Sequence, residues 1–186
     1  MLGVTGALTG DPDTAMTFSS LKGYVSVANN SNLNLSGEIT LEVWAKPGTG
    51  LGSSQAIIHK GGKTSPSNYQ YRLGLTADNH WSGTVYVGAQ SIVVTDPGIP
   101  SAGRWDHLVL TRSGNTLTLY VNGVSVATAP VVGALNTGNG ILAFGRRGTD
   151  SADYFTGSID EVAIYNRALT TSQILAHYSA AMGGGG

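Results

Sequence analysis

Carboxylates, imidazoles and aromatic rings are the side chains here able to do chemistry, and their spacing limits what that chemistry is. Glycosidic hydrolysis needs two carboxylates facing each other across the bond, about 5 to 9.5 Å apart. Only three glutamates exist, and "EITLEVW" offers Glu38 and Glu42 with Thr40 between them, Glu38 falling in the turn after Ser36-Gly37. No opposed pair is assembled. The four histidines, His59, His80, His107 and His177, are scattered, without the i, i+4 spacing or acidic neighbour of a zinc motif. Cysteine is absent and no G-x-S-x-G occurs, so neither a thiol nor a serine nucleophile is indicated. The glycine-rich "GTGLG" and "GALNTGNG" do not stand between a strand and a helix, which makes them loops rather than phosphate cradles. The chain reads as a non-enzyme.

One aspartate raises a separate question. In "GSIDEVAIYNRALTTSQILAHY" strand alternation places Asp160 on one face with Val162 and Ile164, and Glu161 on the other with Ile159, Ala163 and Tyr165. A carboxylate at the edge of an apolar face has to be hydrogen-bonded, paired with a cation or close to solvent.

Aromatic rings mixed with planar hydrogen-bonding groups point to recognition of a sugar, which offers an apolar ring face and many hydroxyls. "SPSNYQYR" carries Asn68, Tyr69 and Tyr71; "ADNHWSG" carries Asp78, Asn79, His80 and Trp81; "GRRGTDSADYFTG" carries Arg146, Arg147, Asp150, Asp153 and Tyr154. The candidate ligand-binding residues are Asn68, Tyr69, Asp78, Asn79, Trp81, Arg146, Asp150 and Tyr154, on loops expected to share one rim. The alternative is that Tyr71 and Trp81 pack inside a hairpin and the rest are solvated turn. Trp44 and Trp105, embedded in strands, are expected to serve sandwich packing.

These side chains are positioned by a chain of 186 residues, 41% hydrophobic and 11% charged, which suits a single domain spanning 1–182 followed by a glycine tail at 183–186. A net charge of −1 and a single adjacent basic pair, Arg146-Arg147, argue against a nucleic-acid partner. No apolar run approaches a membrane span, and "MLGVTGALTG" lacks the basic start and apolar core of a signal peptide, so a soluble chain without membrane insertion is expected.

Short alternating segments separated by turn residues recur from "GYVSVANN" and "GEITLEVWAKPG" through "QAIIHKG", "YQYRLGLT", "GTVYVGA", "SIVVT", "RWDHLVLTR", "NTLTLYVNG", "VSVATAP" and "GILAFGRR". Asn122-Gly123 has the spacing of a two-residue hairpin, whose central positions need positive φ. "TTSQILAHYSAAM" reads as the one helix, with Thr170 and Gln173 forming a capping box. About ten strands and a terminal helix predict an all-β fold, a two-sheet antiparallel jelly-roll sandwich with one short C-terminal helix.

Three blocks, "KGYVSVANNSNLNLSGEITLEVWAKP", "GRWDHLVLTRSGNTLTLYVNGVSVAT" and "FTGSIDEVAIYNRALTTSQILAHY", resemble in order and spacing the laminin G-like domains of the concanavalin A-like lectin and glucanase superfamily. The resemblance implies a jelly roll with one concave sheet and, in many relatives, a structural calcium ion bound by the aspartate that begins the last long strand. Asp160 occupies that position, with Asp13 in "GDPDTA" and carbonyls around Lys22 and Gly23 as co-ligands by position. Relatives carry acids in the early turn written here as "SSLKG", so Lys22 neutralising Asp160 is the alternative to calcium. His107 matches a position commonly filled by a structural His in relatives. The implied function is a non-catalytic, lectin-like module stabilised by calcium, with a glycan or glycosylated surface as partner, located outside the cell or on a cell surface. The alternative is a structural, decoration or adhesion domain on a larger assembly such as a virion, working by protein contacts.

Overall fold

The computed structural model describes residues 2–19, 23–49, 52–62, 68–148 and 152–183. Two antiparallel sheets face each other. One has seven strands in the order β1 (Leu2–Thr5), β2 (Thr14–Phe18), β13 (Gly157–Tyr165), β4 (Ile39–Pro47), β9 (Asp106–Ser113), β10 (Thr116–Val121) and β11 (Val124–Pro130). The other has six: β3 (Val25–Val27), β12 (Leu142–Phe144), β5 (Gln55–Gly61), β6 (Tyr69–Leu75), β7 (Trp81–Val87) and β8 (Gln90–Thr95). The jelly-roll sandwich expected from the alternating segments is therefore present. β1 and β2, an N-terminal pair that extends the seven-stranded sheet, lie where no strand was predicted.

Alternation builds the core. Ile39, Leu41, Val43 and Ala45 of β4 and Leu108 and Leu110 of β9 pack against Tyr71, Leu73 and Leu75 of β6 and Trp81 and Val85 of β7, all fully buried. Asn122 (φ 53) and Gly123 (φ 79) turn the β10–β11 hairpin as predicted, both in the left-handed region that a two-residue hairpin turn requires.

The helix α1 (Thr171–Ala181) starts on the predicted capping box, Thr170 accepting from the Gln173 backbone while Gln173 reaches back to the Thr170 N–H. It lies on the outer face of the seven-stranded sheet. There Ile174 joins Val109, Tyr120 and Leu169 in a second apolar cluster, and the Tyr178 ring stacks on Trp44 at 5.9 Å. Trp44 is thus a packing residue as expected, although it packs outside the sandwich under the helix rather than between the sheets.

A bulge in β13 corrects the alternation read from sequence. Asp160 pairs with Trp44 and Ala163 with Glu42, so Glu161 and Val162 together oppose Val43. The extra residue shifts the parity by one. Asp160 takes the register of Trp44, Glu42 and Ala163, whereas Val162 and Ile164 turn to the core. Glu161 sits at φ +49, in the left-handed region, where a non-glycine residue stores strain.

Candidate functional site

The outer face of the six-stranded sheet gathers aromatic and charged side chains. Arg72 of β6 pairs with His59 on one side and Thr84 on the other, so these three share that face. At the start of β6 the register slips: Lys60 opposes Tyr71 but Gly61 opposes Tyr69, leaving Gln70 as the extra residue. That slip turns Tyr69 onto the face of Arg72, where its ring meets His59 edge-on at 5.3 Å and Tyr86 at 5.3 Å. A Cβ on Gly61 would fall 2.8 Å from the Tyr69 ring and 2.9 Å from His59, so only glycine leaves room for both rings. Across β7 and β8 the face continues as Thr84 beside Val93, Tyr86 beside Ser91 and Ser82 beside Thr95.

The loop after β12 supplies the charges. Its backbone closes on itself, Arg147 N–H donating to the Ala152 carbonyl at 2.8 Å, and Gly148 N–H donates to His59 Nδ1 at 3.2 Å. Arg147 Nη1 lies 3.4 Å from Asp153 Oδ2, with both side chains partly exposed. Asp153 stands at φ +51. Beneath them Arg72 is buried, its Nη2 donating to Ser54 Oγ at 2.8 Å, the Gln55 carbonyl at 2.9 Å and the Leu75 carbonyl at 3.0 Å, while its Nε has no hydrogen-bond partner. Burial pushes the Arg72 guanidinium down from its ordinary value, and the Asp153 carboxylate partly offsets this. Burial likewise pushes the Tyr86 phenol up, with Arg72 opposing.

The predicted ligand residues do not form one rim. Tyr69 is on this face, with Asn68 exposed next to it, and Tyr154 runs alongside Ala56 of β5. Arg146 is buried with its guanidinium 3.6 Å above the Tyr24 ring. Asp78 and Asn79 sit at the far tip of the β6–β7 hairpin, where Asn79 Oδ1 accepts from Gly52 N–H at 2.6 Å. Trp81 is corrected outright: it is fully buried in the core and its Nε1 donates to Asp106 Oδ2 at 2.9 Å, so its ring cannot stack on a ligand. Asp150 lies outside the described residues. Tyr86 and Arg72 were missed, although "GTVYV" and "YQYRL" alternate and place both opposite the core residues.

The other sheet carries a second polar group beneath α1. Glu42, buried, accepts from His107 Nε2 at 2.8 Å and His177 Nδ1 at 2.9 Å through Oε1, and from the Tyr165 hydroxyl at 2.9 Å through Oε2. Burial alone would raise its pKa, but these three hydrogen bonds outweigh that and hold the carboxyl at about 2. A carboxylate so satisfied is a structural anion joining β4, β9, β13 and α1, which gives His107 the hydrogen-bonded structural place expected of it. Next to it opens a cleft of ≈ 510 Å³ lined by Leu8, Asp11, Trp44, Glu161, Tyr165 and His177 among others.

At the mouth of that cleft the carboxylate oxygens of Asp11, Asp13 and Glu161 lie within 4.8 Å of one another, all exposed. Burial, together with Asp13, Asp160 and Asp11, pushes the Glu161 carboxyl up. Asp160 is buried, and its Oδ2 accepts from Ala7 N–H at 2.8 Å. The backbone comes so close there that a Cβ on Gly6 would sit 2.7 Å from Asp160 Oδ2 and 3.5 Å from the Asp13 carbonyl. Gly23 is exposed two residues before Val25, which lines a shallow hollow with Asp160 and Glu161; Lys22 lies outside the described residues. The three carboxylates are hard oxygen donors of the kind calcium takes, fewer than the six to eight oxygens of a full calcium shell.

Residues 18–175 match a family model described as the concanavalin A-like lectin/glucanases superfamily. Among curated proteins no sequence matches. Several solved structures share the fold. The binding domain of Paraclostridial Mosquitocidal Protein 1 is 18% identical with a TM-score of 0.71, over 97% of this chain and 47% of that one. The botulinum neurotoxin serotype G binding domain is 13% identical with a TM-score of 0.69, over 92% and 44%. The chain thus spans about half the length of these two structures. Domain 4 of AbnA, an extracellular arabinanase from Geobacillus stearothermophilus, solved with arabinotriose, is 20% identical with a TM-score of 0.69, over 90% and 77%.

Proposed function

The chain belongs to the concanavalin A-like lectin/glucanase superfamily, and from that premise we propose that it is a non-catalytic glycan-binding module whose ligand lies on the outer face of the six-stranded sheet. One observation carries the reading: the half-buried rings of Tyr69 and Tyr86, 5.3 Å apart, stand on the same face as the Arg147–Asp153 pair and the exposed hydroxyls of Ser91 and Thr95. Rings of this kind stack on the apolar face of a sugar, while the guanidinium and carboxylate bind its hydroxyls through paired hydrogen bonds. The similar fold of an arabinanase domain solved with arabinotriose supports a saccharide as the ligand class. Such a module works outside the cell, against polysaccharide or a glycosylated surface.

Calcium is part of the same proposal. Asp11, Asp13 and Glu161 would hold the ion, and Asp160 would pin Ala7 and so the loop that presents Asp11 and Asp13. A bound cation would relieve the mutual repulsion of these acids and stabilise the fold.

Binding titrations against a panel of plant and bacterial oligosaccharides test the glycan reading. Tyr69→Ala and Tyr86→Ala should each weaken binding severalfold, up to about tenfold, since an aromatic stack contributes about 0.5–1.5 kcal/mol beyond the area it buries. Unchanged affinity in both variants, with the melting temperature preserved, overturns the placement of the ligand.

A further inference from the structure

Its ligand class rests on the glycan reading but its place is a different one: we propose that one end of the sandwich holds a pocket for a single neutral sugar ring, the unit at the free end of a chain, and that Asp96 is the residue that grips it. The pocket lies under the connection from β8 to β9, where that segment crosses from one sheet to the other. Its volume is ≈ 190 Å³, and Trp81, Asp96, Ser101, Arg104, Asp106 and Asn122 line it, with Ile99 and Val121 as an apolar wall. That volume is below the ~300–1,000 Å³ of pockets that take larger organic ligands, so it suits one ring rather than a stretch of chain. The connection is fixed at both ends. Asp96 N–H donates to the Trp81 carbonyl at 2.9 Å, and Gly103 N–H donates to the Pro47 carbonyl at 2.7 Å. His80 Nδ1 donates to the carbonyls of Asp96 at 2.9 Å and Gly98 at 3.0 Å, and Pro97 and Pro100 restrict the same segment.

Asp96 marks this pocket as a site. It is 9% exposed, and its Oδ1 accepts from Gly98 N–H at 2.9 Å. Its Oδ2 accepts no hydrogen bond among the described residues, which leaves an almost buried carboxylate oxygen in need of a donor. Gly98 keeps that carboxylate uncovered. The φ of Gly98 is outside the left-handed region, so the backbone there makes no demand for glycine, yet a Cβ would lie 3.3 Å from Oδ1 and 3.4 Å from Oδ2. Asp106 is already engaged through both oxygens, Oδ2 accepting from Trp81 Nε1 and Oδ1 from Asn122 Nδ2, each at 2.9 Å. It fixes the wall. Arg104 is exposed beside the pocket and forms no ion pair among the described residues. One open carboxylate and one open guanidinium balance each other, which favours a neutral ligand over a cation or an anion. Neighbouring ring hydroxyls would donate to Asp96 while a ligand oxygen accepts from Arg104, and the wall of Ile99 and Val121 would meet the apolar C–H face of the ring.

Nuclear magnetic resonance titration of the intact chain with methyl glycosides of common hexoses and pentoses tests this, since each presents one ring with its anomeric carbon blocked as at a chain end. At least one glycoside should shift the Trp81 indole N–H, which is bonded to Asp106 in the pocket wall, together with the Gly98 and Arg104 amides, and the shifts should saturate. Asp96→Asn keeps an acceptor for Gly98 N–H but removes the charge, and should weaken that binding about tenfold or more. Gly98→Ala places a methyl against the carboxylate and should weaken it severalfold. Shifts confined to Tyr69, Tyr86 and their neighbours overturn the pocket and leave the sheet-face site standing. Shifts confined to the pocket support it and overturn the placement of the ligand on the sheet face. No shift with any glycoside or oligosaccharide overturns both. Pocket shifts produced by calcium chloride but by no glycoside overturn the assignment of a sugar. Parent-like affinity in a folded Asp96→Asn, or in a folded Gly98→Ala, removes Asp96 from the gripping role.

Discussion

Glutamine at position 42 keeps the shape of the side chain and removes its charge, and the structure sets the size of the effect. The native carboxyl sits among His107, His177 and Tyr165 with its pKa lowered from an ordinary 4.5 to about 2. At ~1.4 kcal/mol per pH unit, that difference is about 3 kcal/mol of native-state stabilisation at neutral pH. The amide retains an acceptor for part of the network, so Glu42→Gln should cost about 2 kcal/mol. For a chain of this length that is a fall in melting temperature of about 4–8 °C. The sign with pH comes from the direction of the shift. Because the folded carboxyl titrates below its unfolded value, its contribution is complete above about 4.5 and fades as pH falls toward about 2. Parent and variant should therefore differ most at about pH 6–7, and the difference should shrink through about pH 3 and close only below about pH 2. Thermal and urea melts followed by circular dichroism across that range measure it. A variant as stable as the parent at neutral pH, or a difference that does not shrink in acid, refutes the argument that Glu42 is a structural anion.

Calcium should raise the melting temperature of the parent and leave Asp13→Ala unmoved, a contrast read directly from melts in calcium and in chelator. In chelator Glu161→Gln should be more stable than the parent at neutral pH. Burial and the neighbouring acids raise the Glu161 pKa, so the charged form is the disfavoured one and its cost grows as pH rises through the ordinary carboxylate range. A parent indifferent to calcium would sink the metal proposal. Trp81→Ala should cost about 3–5 kcal/mol because it empties a fully buried site and orphans Asp106 Oδ2. A variant that keeps its melting temperature but loses glycan binding would reverse the assignment of Trp81 to the core.

The sandwich, the β9–β10–β11 meander and the capped helix were all legible in the sequence, because each depends on local rules. Alternation decides which residues face inward, Asn122-Gly123 meets the φ demand of its turn, and Thr170 with Gln173 closes the first turn of α1. Local rules failed at two of the residues inserted into strands. The bulge at Glu161 and the slip at Gln70 each reverse the parity of the neighbouring strand residues, and nothing in "SIDEVAI" or "NYQYRL" announces an unpaired residue.

Those two insertions also shape the candidate sites. One carries Tyr69 onto the face of Tyr86 and Arg72, and the other leaves Glu161 beside Asp11 and Asp13. Trp81 shows the opposite failure, since its neighbours in "ADNHWSG" are turn residues while its own ring closes the core against β6. Contacts such as Glu42 with His177, or Tyr69 with Tyr86, join residues far apart in the chain. The sequence by itself determined the layers and which strands alternate. Only the tertiary structure decided which polar side chains meet, because a single extra residue in one strand exchanges inside for outside and no local pattern records it.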